Sequence, residues 1–209
     1  MDVVLIDAGG TNIGSVSYAL ERLGVTAAMT DDPVRIRAAS HVILPGVGAA
    51  AEGMRRLRES GLDEVIKQLT QPVLGVCLGM QLLFEHSREG DTACLGILSG
   101  SVGRLRGDAD VRVPHMGWNR LSVERDDPLL AGIEAGAFAY FVHGYAAPVS
   151  PDTLASSTHG DVFAVVVRKG NFCGMQFHPE RSAAVGARLL QNFLGLDERS
   201  TANATMVSS

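Results

Sequence analysis

The sequence predicts an α/β fold in three layers, with helices on both faces of a central, mostly parallel sheet and an additional antiparallel β portion in the second half. Two observations support this prediction. Up to about residue 90, short apolar runs alternate with helical patterns, as in parallel βα units. Beyond that point, short strand-like runs follow one another with Gly, Pro, Asp and Asn between them, and one helix comes last.

In the first half, four strands and three helical regions are predicted. The strands are expected at Val3–Ile6, Gly24–Met29, His41–Leu44 and Pro72–Val76. The helices are expected at Ser15–Leu23, at Ala49–Leu69 with a break at Gly61, and from Gln81 to about Gly90. Ligands of such sheets bind beyond the carboxyl ends of the strands. The turn at residues 45–48 and Cys77 follow two of these ends, so we expect them to be neighbours.

In the second half, six short strands and one helix are predicted. The strands are expected at Leu95–Leu98, Arg120–Val123, Ala137–Val142, Thr153–Ser157, Phe163–Val167 and Phe172–Phe177, and the helix at Ser182–Leu194. No linker or internal repeat interrupts the pattern, so residues 1–197 are predicted to form a single domain. Residues 198–209 are small and polar, and we expect a disordered tail there.

The overall composition argues against several kinds of function. A net charge of −5 offers no basic patch for nucleic acid or an anionic membrane. The longest apolar runs reach about a dozen residues, too short to span a bilayer, and no signal-peptide pattern is found. The three cysteines show neither a CxxC pair nor zinc-ligand spacing, so no metal site is predicted. We expect a cytoplasmic protein.

The most informative stretch joins a strand to a helix through a cysteine. Gly75 and Gly79 each lie two residues from Cys77, which is the thiol version of the G-x-S-x-G nucleophile elbow. In that motif a sharp turn lifts the nucleophile out of the sheet, and glycines tolerate the strained, crowded backbone. The positive end of the helix dipole also favours a thiolate. Cys77 is therefore the candidate nucleophile; a buried structural cysteine between turn glycines is the alternative.

A cysteine nucleophile needs a base, and the base needs a group that orients it. His178 and Glu180 lie two residues apart after the last predicted strand, so in extended backbone they project to the same side. Pro179 between them fixes φ and favours that extended conformation. We expect Glu180 to bind one nitrogen of the imidazole while the other faces Cys77. The alternatives are a strand-end histidine bonded to backbone and an acid at the start of the next helix.

With these residues, the chain resembles the class I, triad-type glutamine amidotransferases. The resemblance rests on residues 75–81, Gly-Val-Cys-Leu-Gly-Met-Gln, and residues 176–180, Gln-Phe-His-Pro-Glu. Within that class, residues 114–119 (Pro-His-Met-Gly-Trp-Asn) and 140–143 (Tyr-Phe-Val-His) are similar to the glutaminase subunits of imidazole glycerol phosphate synthases, of histidine biosynthesis. The similarity extends from Val3 to about Leu196, and it implies the flavodoxin-like fold of the class.

The resemblance implies hydrolysis of L-glutamine to glutamate and ammonia through a glutamyl thioester, without a cofactor. The implied catalytic triad is Cys77, His178 and Glu180. The implied oxyanion hole consists of backbone N–H groups near Val47, Gly48 and Leu78. The implied substrate-binding residues are Gly46, Gln81, Gly144 and Tyr145.

The resemblance also implies a heterodimer with a (β/α)₈-barrel cyclase subunit, which receives the ammonia and makes imidazole glycerol phosphate and AICAR. Nothing in these 209 residues matches such a barrel, so we expect another chain. The implied interface residues are Asn12, His115, Met116, Trp118, Asn119, Tyr140 and Arg181. Trp118 is the only tryptophan, and exposed Trp with Arg is enriched at interface hot spots. The alternative is that Trp118 fills the core.

Three sites depart from the family pattern. Ala8 and Thr11 replace a Tyr and a Gly of the first turn, Gly144 and Ala146 replace a Ser and a Tyr, and Arg181 replaces a Lys. The triad is intact, so the departures concern substrate affinity and partner contacts rather than the chemistry.

Three other functions stay open at this point. One is another class I amidotransferase subunit, of purine, pyridoxal phosphate or anthranilate synthesis, in which residues 114–119 are not expected to match. A second is a non-catalytic interaction subunit that keeps the fold, which the changes at Gly144 and Ala146 leave open. A third is a cysteine hydrolase of related architecture, whose histidine follows the nucleophile closely; here His86 is nine residues after Cys77.

Overall fold

The computed structural model of the protein describes residues 1–7 and 13–197. Its strands are β1 Val3–Ile6, β2 Ala27–Thr30, β3 His41–Gly46, β4 Val73–Cys77, β5 Phe84–Ser87, β6 Thr92–Ala93, β7 Leu98–Arg104, β8 His115–Arg120, β9 Ser122–Val123, β10 Phe138–His143, β11 Tyr145–Ala146, β12 Thr153–His159, β13 Asp161–Lys169 and β14 Phe172–Met175. Its helices are α1 Ile13–Arg22, α2 Pro33–Ala38, α3 Ala50–Glu59, α4 Leu62–Lys67, α5 Leu78–Leu82 and α6 Ala183–Leu194, with 3₁₀ helices at Pro128–Leu130 and Pro179–Arg181. The predicted tail at 198–209 lies outside the described residues, as do Ala8, Thr11 and Asn12.

The central sheet has eight strands in the order β2, β1, β3, β4, β14, β13, β12, β9. The first five are parallel to one another, and the last three join in antiparallel fashion. Two smaller sheets, one of β8 with β10 and one of β11, β7, β5 and β6, lie in the second half. The predicted mostly parallel sheet with an added antiparallel portion is confirmed. Since β4 lies between β3 and β14, the residues that follow these three strands share one edge.

A hydrophobic core lies on each face of the sheet, because successive side chains of a strand point to opposite faces. Val3 and Leu5 of β1 pack in the core that contains α1 and α6. Val4 and Ile6 pack in the other, with residues of α2, α3, α4 and α5. All four are at most 1 % exposed. The three layers therefore follow from the uninterrupted apolar run of a strand buried on both faces. Among the described residues, no helix has both the length and the apolar character needed to cross a membrane.

The predicted helix after Cys77 is wrong beyond Leu82. Residues Phe84–Ser87 form β5, which pairs in parallel with β7 and antiparallel with β6. Phe84 and Ser87 are buried and Glu85 is exposed, so the segment behaves as a half-buried strand. The pairing depends on residues up to Val102, and this tertiary contact outweighs the local helix propensity.

Other elements also differ from the prediction, and the strand expected at Leu95–Leu98 is instead β7, Leu98–Arg104. Residues 115–119, for which no strand was predicted, belong to β8, which pairs along its whole length with β10. Helix α2 was not predicted, although Asp32 and Pro33 are a helix-start signal: the Asp32 carboxylate accepts a hydrogen bond of 2.9 Å from the N–H of Val34. The break at Gly61 is confirmed, since its φ of 68° separates α3 from α4.

The turn from β4 to α5 is packed so closely that side chains are excluded on both sides of Cys77. A Cβ atom at Gly75 would lie 2.6 Å from the carbonyl oxygen of Gly79. A Cβ atom at Gly79 would overlap the carbonyl oxygen of Leu44, at the end of β3. Both obstacles are backbone atoms, so neither can be relieved by a change of rotamer.

We expect Gly79→Ala to lower the free energy of unfolding by at least about 1–3 kcal/mol, the usual cost of overpacking. Urea denaturation measures this change. Gly103→Ala is the control, because an added Cβ at Gly103 has no heavy atom within 4 Å. Equal stability of the two variants would contradict the close packing of the elbow.

Candidate active site

Cys77 lies at the sharp turn between β4 and α5. Its φ of 54° and ψ of −112° form a backbone conformation that residues with a side chain rarely adopt. The close backbone packing at Gly75 and Gly79 maintains this turn. Backbone strain held in place by its surroundings is concentrated at functional sites. The predicted elbow geometry is therefore present, with Cys77 8 % exposed at the wall of a cavity.

The sheet register brings the His178 segment next to Cys77. In the parallel pair of β4 and β14, Val76 lies beside Met175, and the two chains then continue to Cys77 and Gln176. On the other side of β4, Gly46 of β3 lies beside Cys77. The three strand ends meet as predicted.

His178 and Glu180 form an ion pair in this cleft. The Nδ1 of His178 lies 3.1 Å from Oε1 of Glu180, and both side chains are close to 90 % buried, at 12 % and 11 % exposed. The backbone of this pair differs from the predicted extended conformation. Only His178 is extended, because Glu180 belongs to the 3₁₀ helix Pro179–Arg181. Within the described part of the chain, Oε2 of Glu180 is buried and has no hydrogen-bond partner.

The charges of this pair favour a protonated imidazole. Burial lowers the pKa of His178, but its interactions with the Cys77 side chain and with the Glu180 carboxylate outweigh burial and raise that pKa to about 10. Burial raises the pKa of Glu180, but its hydrogen bond with His178 leads the contributions that bring that pKa below its ordinary value. The site therefore holds an imidazolium between a carboxylate and a sulfur atom.

A cavity of about 330 Å³ opens in front of Cys77. This volume is within the range of about 300–1,000 Å³ typical of small-molecule sites. Its lining consists of Val47, Gly48, Cys77, Leu78, Gln81, Glu89, Val142, His143, Gly144, Tyr145, His178, Glu180 and Arg181. In residues 1–7 and 13–197, no three His, Cys, Asp or Glu side chains are grouped to hold a metal ion.

The predicted oxyanion residues line this cavity, and one predicted substrate-binding residue does not. Val47, Gly48 and Leu78 all contribute to the wall, and Gly48 has a φ of 90°, which favours glycine. Gly46 packs against the elbow instead: a Cβ there would lie 2.5 Å from the backbone nitrogen of Gly79. Gly46 is thus needed for the close approach of β3 to the turn, and its predicted contact with the substrate stays a prediction.

Gln81 is buried against the second half of the chain and is 4 % exposed. Its Nε2 donates to the carbonyl oxygen of Tyr145 at 2.8 Å and to Oε1 of Gln176 at 2.9 Å. With Gly144 and Tyr145 it forms one side of the cavity, where all three were predicted.

Sequence reasoning missed two polar residues of the site. Glu89 lines the cavity, and its Oε2 accepts a hydrogen bond of 2.8 Å from the N–H of Ala50, at the start of α3 and next to the 47–49 loop. Gln176 is fully buried, and its Nε2 lies 3.7 Å from Sγ of Cys77. The position of Gln176, two residues before His178, was a signal for its proximity; Glu89 had none, because it follows the unpredicted strand β5.

An aromatic surface lies beside the mouth of the cavity. Trp118 of β8 is 52 % exposed, so it does not fill the core, and its ring contacts Tyr140 of β10 edge to face at 5.8 Å. The guanidinium of Arg181 lies 4.1 Å from the centre of the Tyr140 ring, and Arg181 also lines the cavity. Met116 is exposed on the same side of β8. We call these four residues the aromatic surface.

His115 does not belong to this surface, and its predicted contact with a partner stays a prediction. Alternation along β8 turns His115 inward, where it is 4 % exposed and stacks on Phe141 and His159. Asn119 also points inward, since its Nδ2 donates to the carbonyl oxygen of Thr158 at 2.9 Å. Asn12 lies outside the described residues.

Comparison with known proteins places this site in a family context. The family model described as glutamine amidotransferase class-I matches residues 4–195. Imidazole glycerol phosphate synthase subunit HisH of Xanthomonas axonopodis pv. citri (strain 306) is 60% identical over 193 residues, which cover 92% of this chain and 96% of the relative. The subunit HisH of Xylella fastidiosa (strain Temecula1 / ATCC 700964) is 56% identical over 196 residues, covering 94% and 98%.

Solved structures share the fold at much lower sequence identity. The crystal structure of a glutamine amidotransferase has a TM-score of 0.70 and 23% identity, covering 93% of this chain and 97% of the other. A chain of the PurLQS structure from Thermotoga maritima has a TM-score of 0.68 and 20% identity, covering 92% and 97%. These two likenesses concern the fold alone.

Removal of either partner should lower the pKa of His178. We expect Glu180→Gln and Cys77→Ala each to move this pKa from about 10 toward its ordinary value of 6.5, as followed by NMR of isotope-labelled histidine. Since the pKa is raised on folding, protonated His178 stabilises the folded chain fully below about pH 6.5, and this stabilisation is lost as the pH rises toward 10.

His41 is the control for this titration, because it binds the carbonyl oxygen of Leu196 at 3.0 Å and has no contact with the ion pair. Its signal should titrate alike in all three proteins. A wild-type His178 that titrates near 6.5 would contradict the ion pair.

Proposed function

The chain belongs to the class I glutamine amidotransferase family, as a subunit of the HisH type, and we propose that it hydrolyses L-glutamine at Cys77. The observation that carries this assignment is the grouping of Cys77 with the His178–Glu180 pair in one cavity. A nucleophile, a proton donor and acceptor, and a carboxylate that orients it are the groups that amide hydrolysis needs.

In the first half of the reaction, Sγ of Cys77 attacks the side-chain carboxamide carbon of glutamine, and the carbonyl electrons move to oxygen. The imidazolium of His178 then donates its proton to the nitrogen, and the carbon–nitrogen bond breaks to release ammonia. A glutamyl thioester remains on Cys77. The raised pKa of His178, about 10, keeps this proton available near neutral pH.

In the second half, water enters in place of ammonia. Neutral His178 takes a proton from the water as its oxygen attacks the thioester carbon, and the carbon–sulfur bond breaks. Glutamate leaves, and the thiolate and imidazolium are restored together. Glu180 keeps the ring in one orientation throughout, because its Oε1 holds the proton on Nδ1.

Each half passes through a tetrahedral oxyanion, for which backbone N–H groups of the 47–48 loop and of Leu78 are our proposed donors. Removal of one such donor lowers kcat by about 10²–10³-fold. Val47 is 37 % exposed and Gly48 takes a positive φ, so a rotation of the peptide between them is sterically open. This loop is our proposed gate, in which the N–H turns toward the oxyanion when the partner is bound.

The walls of the cavity carry charges complementary to the α-ammonium and α-carboxylate groups of an amino acid. Glu89 supplies a carboxylate for the α-ammonium group of glutamine, and Arg181 supplies a guanidinium for its α-carboxylate. Gln81, Gly144 and Tyr145 close the side between them. The α-amino acid group is therefore held at the mouth, and the carboxamide reaches Cys77.

The aromatic surface is our proposed docking site for a (β/α)₈-barrel cyclase subunit. Trp118, Met116 and Tyr140 supply exposed apolar area of the kind that anchors interfaces. Arg181 touches both this surface and the cavity, so a partner seated there covers the mouth. Ammonia released at Cys77 then passes into the partner, where it serves the formation of imidazole glycerol phosphate and AICAR in histidine biosynthesis. No cofactor is needed, and three free cysteines suit the reducing cytoplasm.

The decisive experiment is a glutaminase assay with and without the cyclase subunit and its nucleotide ligand. We expect strong stimulation of the wild type and complete loss in Cys77→Ala. Cys94→Ala is the matched control, because the Cys94 thiol donates to the Thr92 carbonyl oxygen and does not line the cavity. Activity in Cys77→Ala would refute the nucleophile, and stimulation only by another synthase would refute the pathway.

Gly48→Pro tests the oxyanion loop, since proline removes the N–H and cannot adopt a φ of 90°. We expect the stimulated kcat to fall by about 10²–10³-fold with little change in KM. Gly48→Ala keeps the N–H and has open space for its Cβ, so its loss should be smaller. An unchanged stimulated kcat in Gly48→Pro would show that this loop is not the gate.

A further inference from the structure

Gln176 completes a line of hydrogen bonds that ends on the sulfur of Cys77. Its Nε2 lies 3.7 Å from Sγ, and its Oε1 lies 2.9 Å from Nε2 of Gln81. Gln176 is 0 % exposed, so both ends of its amide are removed from water. A buried amide is stable only when its groups are paired, and these two contacts pair one donor and the acceptor.

The orientation of the Gln176 amide follows from its neighbours. The carbonyl oxygen of Tyr145 can only accept, so the Gln81 atom at 2.8 Å from it must be the donor Nε2. The same Nε2 faces Gln176 at 2.9 Å, and this second contact therefore falls on an acceptor, Oε1. Nε2 of Gln176 is then left to face Sγ. A donor, and not an acceptor, is turned toward the sulfur.

Two buried histidines fix the other end of this line. The carbonyl oxygen of Tyr145 also accepts a bond of 2.9 Å from Nδ1 of His143, whose Nε2 lies 3.3 Å from Nδ1 of His115. Burial lowers the pKa of His143 to about 3 and that of His115 to about 4, so both rings are neutral. Each then donates from Nδ1 and accepts at Nε2, and Asn119 donates to His115 at 3.4 Å. The donors of the two histidines and that of Gln81 therefore converge on the carbonyl oxygen of Tyr145, which accepts from both sides.

We propose that Gln176 is a further catalytic residue, whose amide N–H holds the sulfur of Cys77 and stabilises its thiolate form. This proposal rests on the proposed function of Cys77 as nucleophile. A hydrogen bond to a charged acceptor is stronger than one to a neutral thioester sulfur. The bond therefore aims the thiolate before attack and favours it again as the leaving group when water cleaves the thioester. The amide proton stays on Gln176 in both steps.

The effect of the hydrogen bond to sulfur can be measured through the rate of alkylation of Cys77, which needs neither glutamine nor a partner. The thiolate is the reactive form, so the rate with iodoacetamide follows its population. A Cys94→Ala background removes the half-buried thiol that would compete. The charged or titratable side chains that share the cavity are Glu89, His143, Tyr145, His178, Glu180 and Arg181. All six stay unchanged in the variants below.

We expect Gln176→Met to slow alkylation at about pH 7 by about 10-fold or more, the worth of a hydrogen bond to a charged group. The rate profile should also move to higher pH, and further in Gln176→Glu, which sets a carboxylate beside the sulfur. Gln71→Met is the matched control: this glutamine is also buried, donates to the Ile36 carbonyl at 2.9 Å, and lies roughly 20 Å from Cys77 along β4. Its alkylation profile should equal that of the wild type.

Gln81→Met reads the same bond without a change at Gln176, because the amide of Gln176 then loses the partner that orients it. Gln81→Met should therefore also slow the alkylation of Cys77. If Gln176→Met does not fold, this variant is the test of the hydrogen bond between Gln176 and Cys77. A folded Gln176→Met or Gln81→Met with the wild-type alkylation profile would overturn the proposal. In that case, glutaminase activity that depends on Cys77 would still support the proposed function. If instead the variants shift the alkylation profile but the wild type shows no glutaminase activity, only the proposed function would be overturned.

Discussion

The site depends on one constraint, the sharp turn that holds Cys77 at a φ of 54° between β4 and α5. No local sequence preference favours that conformation for a residue with a side chain. It persists because the backbone of Gly79 lies directly against the end of β3, and because Gly75 leaves room for the turn. The strain is therefore supported by the same parallel sheet that forms the core, so stability and reactivity share these residues.

The electrostatics of the site follow from where that turn is placed. His178 and Glu180 reach the cavity from the end of β14, which is the neighbour of β4 in the sheet. Both groups are removed from water, and their attraction is stronger there than at a surface. The pair is thus charged because each member stabilises the other and offsets the penalty of burial, and Cys77 also favours the charge on His178.

The second half of the chain serves the cavity from two directions. On the inward side, Tyr145 and His143 of the β portion hold the hydrogen-bonded side-chain amides that lead to Gln176. Facing outward, Trp118 and Tyr140 form the exposed side of the antiparallel pair of β8 and β10. One strand pair therefore carries part of the inner wall and the proposed docking surface, because alternate residues of a strand point to opposite sides.

The sequence by itself determined the parallel sheet and the meeting of the strand ends and predicted the candidate triad, because the motif at Cys77 and the periodicity of the strands are local patterns. Only the tertiary structure decided the strand at Phe84–Ser87 and the inward position of His115. Both depend on pairing with segments distant in the chain, which local propensity cannot register. Glu89 and Gln176 entered the site for the same reason: their roles come from what lies beside them in space, at the wall of the cavity and at the sulfur of Cys77.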